Sequence, residues 1–422
     1  MSFLTTLTRI WLTRSGKPFV FTNESDRQLS FGKCQNLGLY VHIPFCRSIC
    51  NFCPYCKEVY AEERCSRYID ALIREIHMVG KMNHTKKNHT KKTVTSLYFG
   101  GGTPALAADR IKEILTAIRQ YFIITEGIGV ELHPDDVTVP LLQSLKEAGV
   151  TKISIGIQSF QKKYQNILGR KPVCLSAIRS ALKAVRFQTV SMDFIFALPE
   201  QTFADLKADI DTAFANGANH IAIYPFIDFT FTSSSVHGMQ KKEKYRLLNA
   251  VTKYCMSKGY RRTSIWTFSN EEGARYSSMT RDYFLGFGCS ATTLLHKQFK
   301  INTFSVEEYC RRMDCGELPT SLTLRFSLRQ RMVYYLFWTA YSMKVSAADF
   351  EKFFGIPLKK MYGFEFFLAK RLGFVTEQKG IYRMTLKGAF YYHYYENFYT
   401  LAYIDKMWGI MRREAFPEKI QL

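Results

Sequence analysis

From about Leu37 to Phe226 the chain alternates two kinds of segment. Short β-branched and apolar runs, suited to buried strands, occur at Gly38–His42, Ser96–Phe99, Gly129–Leu132, Lys152–Gly156, Val190–Ala197 and His220–Tyr224. Between them, apolar residues recur at three and four positions through Ala61–Gly80, Ala108–Tyr121, Pro140–Ala148, Leu175–Ala184 and Phe203–Phe214, the period of an amphipathic helix. This alternation predicts βα units on a parallel sheet, hence the α/β class. Six units predict an open partial barrel rather than a closed eight-stranded one. Chemistry in such a barrel gathers at the C-terminal ends of the strands.

The alternation stops after Gly288, and from about Leu324 the pattern reads as three helices, a short β-like turn at Gly380–Met384 and a long aromatic helix. That order predicts a winged-helix-like module, and the Tyr- and Phe-rich stretch Tyr391–Tyr403 predicts a lid packed on the barrel rather than a DNA-reading surface. The expected organisation is an N-terminal extension at 1–36, a partial barrel at 37–300 and a lid domain at 301–422. Residues Asn83–Lys92 repeat Asn-His-Thr-Lys-Lys in tandem, which predicts an exposed loop; His84 and His89 are its only candidate metal ligands.

Composition refines this picture. With 47% hydrophobic and 22% charged residues the chain is ordinary globular material. Its longest apolar runs, such as Met332–Ala340, fall well short of the roughly 20 residues that cross a bilayer. The N-terminus lacks the pattern of a secretory leader, so a cytoplasmic monomer without a membrane span is expected. A net charge of +22 invites a nucleic-acid reading, but the basic residues are spread along the chain without a nucleic-acid motif. No nucleic-acid partner is expected, and basic walls also suit a ligand bearing several carboxylates.

Eleven cysteines are too few for a disulfide scaffold, yet four crowd into Cys46–Cys56. Cys46, Cys50 and Cys53 follow the first strand with the spacing C-x3-C-x2-C. Three thiolates from one loop can ligate three irons of a [4Fe–4S] cube and leave the fourth iron open. Zinc ordinarily takes two separated C-x2-C pairs, and no distant second pair follows. After the second strand comes Gly100-Gly101-Gly102-Thr103-Pro104, where glycines allow close backbone approach and offer N–H groups. Glu131 ends the third strand, where a carboxylate can accept from ribose hydroxyls, and Gln158 near the end of the fourth offers donor and acceptor together. Tyr40 and His42 stand on the first strand and read equally as strand residues or as neighbours of a cofactor.

The C-x3-C-x2-C spacing at this strand end is the signature of the radical S-adenosylmethionine (SAM) superfamily. With Tyr-Val-His-Ile-Pro-Phe-Cys46, Tyr-Phe-Gly-Gly-Gly-Thr103-Pro and Ser-Ile-Gly-Ile-Gln158-Ser-Phe, the chain resembles the oxygen-independent coproporphyrinogen III oxidase family over roughly Leu37–Thr292. That family includes the oxidase, a heme chaperone and radical methyltransferases. The resemblance implies a [4Fe–4S] cluster on Cys46, Cys50 and Cys53. It also implies one SAM, with a second as the alternative, contacted by Tyr40, Gly101, Gly102, Thr103, Glu131, Gln158, Arg170 and Asp193. Arg170 follows Gln158 by twelve residues, as its counterpart does in the oxidase, and Asp193 lies in Met-Asp-Phe-Ile-Phe-Ala-Leu-Pro. Reductive cleavage of SAM would yield a 5′-deoxyadenosyl radical that acts on a tetrapyrrole or related small molecule. A low-potential flavodoxin- or ferredoxin-like electron donor is implied.

The resemblance breaks in named places. The oxidase continues its motif as Cys-x-Cys, but here Tyr55 takes that cysteine's position and Cys56 follows it. Tyr55 and Cys56 are therefore the candidate residues at the reacting face, with Cys56 either reaching a second SAM or a spare thiol. Ala197 replaces a usual glycine. The chaperone's histidine is missing between Ser269 and Gly286, while Gly286-Phe-Gly288-Cys289-Ser-Ala keeps the turn of the oxidase. Cys289 reads as a relay or methyl-accepting thiol or as a small buried residue.

Overall fold

A computed structural model of the chain describes residues 3–24, 28–82, 90–234, 236–270 and 282–422. His84 and His89 lie outside the described residues. The six expected strands form as β1 Leu37–Ile43, β2 Leu97–Gly101, β3 Ile128–Leu132, β4 Lys152–Gln158, β5 Thr189–Phe196 and β6 His220–Pro225, each parallel to the next. Helices Glu62–Met82, Ala108–Tyr121, Val139–Glu147, Leu175–Ala184 and Phe203–Ala215 supply the crossovers. Strands buried on both faces must be apolar throughout, and Leu39, Val41, Ile43, Phe99, Val130, Ile153, Ile155, Met192, Phe194 and Ile221 accordingly fill the core.

The sheet does not end with these six. Strand β7, Tyr283–Phe287, pairs parallel to β1 on its free side and puts the Gly286–Ala291 turn beside the cysteine loop. Beyond it an antiparallel ladder runs through Thr292–Leu295, Gln298–Asn302, Thr320–Arg325, Val20–Thr22 and Lys419–Gln421. The sequence pattern places a boundary at residue 300, inside strand Gln298–Asn302, and treats residues 1–36 as an appendage. In the structure, strands from all three spans share one sheet. Hairpin strands this short carry too weak a period-2 signal to be read from the chain alone.

Residues 328–384 run helix Leu328–Tyr341, strand Lys344–Ser346, helices Ala347–Phe354 and Leu358–Arg371, then hairpin Val375–Gln378 and Ile381–Met384. This is winged-helix order. The β-like turn expected at Gly380–Met384 is one arm of a three-stranded sheet. A long helix follows as Leu386–Tyr399, a π-turn at Thr400–Ile404, and Asp405–Met411. It packs on the barrel: Trp266 Nε1 donates to Glu396 at 3.2 Å, and His393 meets the Trp266 ring edge-on at 4.4 Å.

Candidate active site

The cysteine loop leaves the C-terminal end of β1 and is braced by the turn after β2. Gly102 N–H donates to the Ile43 carbonyl at 2.8 Å and Thr103 N–H to Phe45 at 2.7 Å. A Cβ on Gly102 would stand 2.5 Å from the Phe45 oxygen, and one on Gly101, at φ 118°, would strike the His42 ring. The glycines thus serve close approach. The free N–H groups expected of this turn are engaged, since Gly101 N–H donates to Glu131 Oε2 at 3.1 Å.

Cys46, Cys50 and Cys53 are free, half-buried thiols. Burial, then the adjoining Cys53 and Cys50, push the Cys46 thiol up to about 11, opposed by the Thr103 hydroxyl 3.9 Å from its sulfur. Arg170 reaches the loop from beyond β4, with Nη1 3.4 Å from Cys50 Sγ and Nη2 donating to the Gly156 carbonyl at 2.6 Å.

Above the loop, the strand ends bring acids together. Glu131 accepts from Tyr98 Oη at 2.8 Å, and burial lifts its carboxyl to about 7. Asp193 accepts from Ser154 and Ser191 at 2.7 and 2.9 Å and is lifted by burial to about 6. Tyr40 stacks near Tyr98 and its hydroxyl lies 3.1 Å from His42 Nδ1. Gln158 takes a left-handed φ of 70° at the end of β4. Tyr55 leaves 54% of its surface uncovered.

Cys56 turns the other way. Only 6% exposed, it lies 3.9 Å from Cys289 Sγ and 3.2 Å from the Phe304 carbonyl oxygen, inside the protein rather than beside Tyr55. The Cys289 thiol and the His42 ring favour its thiolate, whereas burial pushes Cys289 up.

The helix Asp405–Met411 supplies residues that no local sequence signal marks. Trp408 approaches Tyr55 at 6.0 Å, Phe304 at 6.0 Å and Phe229 at 6.3 Å, the last pair stacked. Arg412 lies over the Phe231 ring at 4.7 Å and donates to the Pro54 carbonyl.

The model of the radical SAM superfamily matches residues 40–213. The chain carries a radical SAM domain. It is 27% identical to the heme chaperone HemW of Bacillus subtilis over 288 residues, covering 64% of this chain and 74% of the relative. It is 24% identical to the oxygen-independent coproporphyrinogen III oxidase of Pseudomonas aeruginosa over 312 residues, 67% of this chain and 66% of the relative. Among solved structures, coproporphyrinogen III oxidase HemN of Escherichia coli superposes with a TM-score of 0.72 at 20% identity over 86% of this chain and 88% of that one, a likeness of fold.

The cofactors of a radical SAM domain are a [4Fe–4S] cluster and SAM. The donor set fits the cluster: three unpaired, half-buried thiols share one loop, with the Thr103 hydroxyl beside Cys46 Sγ, Arg170 beside Cys50 Sγ, and Lys57 donating to the Cys53 backbone carbonyl. Glu131 near the end of β3, the Gln158 amide at the end of β4 and Asp193 within β5 are groups able to hydrogen-bond a nucleoside and an amino acid.

Proposed function

We propose that this protein is a radical SAM enzyme that acts on a tetrapyrrole or a related flat, carboxylate-bearing molecule, by oxidative decarboxylation or radical methyl transfer. The observation that carries this reading is the aromatic and cationic mouth of the barrel. Trp408, Tyr55 and Phe229 offer ring surface backed by the buried Phe304, and Arg412 offers a guanidinium whose basicity burial lowers. Aromatic walls suit a planar macrocycle, and an arginine suits its propionates.

When bound, the cluster on Cys46, Cys50 and Cys53 supplies the electron that cleaves SAM into methionine and a 5′-deoxyadenosyl radical. The chain binds and orients. Glu131 accepts from the ribose hydroxyls, Gln158 and Asp193 fix the remaining polar edges, Arg170 meets the methionine carboxylate, and the Gly101–Thr103 turn lets the backbone come close. Tyr55 stands where the substrate enters, its phenol protonated and able to donate. The helix carrying Trp408 limits access of water. The electron comes from a low-potential flavodoxin- or ferredoxin-like donor.

The likeness to a heme chaperone favours a second reading, in which heme binds at the same mouth without turnover. Anaerobic reconstitution followed by SAM and dithionite separates the two. The enzyme reading expects a tetrapyrrole to raise 5′-deoxyadenosine well above the substrate-free background, with Arg412→Ala raising the substrate KM. Tight heme binding with no substrate-dependent rise overturns it. Replacing Cys46, Cys50 or Cys53 by Ala is expected to abolish the brown chromophore, and its survival in all three removes the cluster assignment.

A further inference from the structure

His42, Cys56 and Cys289 come from three separate segments, the strand β1, the loop beyond the cluster cysteines and the turn after β7. All three are buried, and their ligating atoms lie within 4.8 Å of one another. We propose that they hold a second metal ion, a thiophilic divalent cation of the zinc class, apart from the iron–sulfur cluster.

The spacing suits zinc. With Zn–S bonds of about 2.3 Å, tetrahedral geometry sets two sulfurs about 3.8 Å apart, and Cys56 Sγ and Cys289 Sγ are 3.9 Å apart. The imidazole is held between polar neighbours. Its Nδ1 faces the Tyr40 hydroxyl at 3.1 Å, while Nε2 faces the Cys56 carbonyl at 3.0 Å and Ser290 Oγ at 3.3 Å, so binding the ion through Nε2 means giving up its proton and the Cys56 contact, with Tyr40 then holding Nδ1–H. The Phe304 carbonyl accepts from the Cys56 thiol at 3.2 Å, a contact that deprotonation on metal binding would release, and the Ser290 hydroxyl lies beside the imidazole as a neighbouring oxygen.

The surroundings lock the ligands to one another. The Tyr68 hydroxyl accepts from Cys289 N–H at 3.0 Å and donates to the His42 carbonyl at 2.8 Å. Gly288, at φ 99°, has no room for a Cβ, which would meet Tyr68 Oη at 2.4 Å and the His42 oxygen at 2.6 Å. Two thiolates and a neutral imidazole balance a divalent ion, and binding releases the two thiol protons. The ion would clasp the end of the cluster loop to the β7 turn and so set where Tyr55 stands. Nothing in this assignment depends on the substrate.

The test is metal analysis of anaerobically reconstituted holoprotein, given one equivalent of zinc and desalted. The expected result is about one zinc per chain beside full iron, with X-ray absorption at the zinc edge finding two sulfur neighbours at about 2.3 Å. Cys289→Ser is expected to lose zinc at least tenfold with iron unchanged, while Cys310→Ser, at another buried cysteine, keeps both. Zinc retained in Cys289→Ser, a zinc shell without sulfur, absence of bound zinc in the wild type, or a Cys56–Cys289 disulfide in protein isolated without oxygen would overturn the proposal.

Discussion

Arg170 Nη1 lies 3.4 Å from the Sγ of Cys50, and its other terminal nitrogen holds the Gly156 carbonyl. One guanidinium therefore joins the Cys50 thiol, a proposed cluster ligand, to the C-terminal part of β4. A cationic donor on a ligating sulfur withdraws negative charge and eases reduction. Arg170→Gln is expected to keep its iron but lower the cluster potential by about 60 mV, a tenfold change in a one-electron equilibrium. An electron paramagnetic resonance redox titration reads this directly, and an unchanged potential refutes the link.

With Glu131 in its proposed place at the ribose, its carboxyl, lifted to about 7 by burial, is expected to give SAM binding a pH dependence. Below that value the carboxyl carries a proton and loses an acceptor; above it the carboxylate is free to accept. Affinity measured by anaerobic calorimetry should weaken as pH falls from 8 to 6. Glu131→Gln should bind more weakly, by about tenfold, and flatten the profile.

Glu75 is buried with three donors aimed at it: Tyr309 Oη at 2.6 Å, Gly288 N–H at 2.7 Å and Asn302 Nδ2 at 3.1 Å. Gln in its place must point an N–H at one of them. The expected cost is about 1–3 kcal/mol in denaturant unfolding, because a buried donor loses its partner. A change under 0.5 kcal/mol would mean that the network repacks around the amide.

Ala197 takes a left-handed φ of 66° although fully buried. That conformation costs an L-residue roughly 1 kcal/mol. Ala197→Gly is therefore expected to leave stability unchanged or raise it by up to about 1 kcal/mol, and a clear fall in melting temperature would contradict the strain.

The parts of this protein legible in its sequence are those whose signal is local and repeated. All six barrel strands and their helices carry a period along the chain, and Cys46, Cys50 and Cys53 announce themselves by spacing. Hidden parts depend on distance. Cys56 and Cys289 are 233 residues apart, and only the pairing of β7 with β1 brings them together. Trp408 and Arg412 sit on an aromatic helix of no marked periodicity, and the π-turn at Thr400–Ile404 shifts their facing relative to Leu386–Tyr399. Strand Val20–Thr22 is three residues long, so its place between Thr320–Arg325 and Lys419–Gln421 is set by partners rather than by pattern.

That last strand arrangement bears on how anything reaches the mouth of the barrel. The helix bearing Trp408 is joined on one side to the wing hairpin and on the other, within eight residues of Met411, to a strand stitched into the main sheet. A cover hinged at one end swings more freely than a bridge fixed at both abutments. On the proposed function, a substrate would enter beside a helix tied down at both ends, and the side chains that helix presents would do more than its swing to decide what fits.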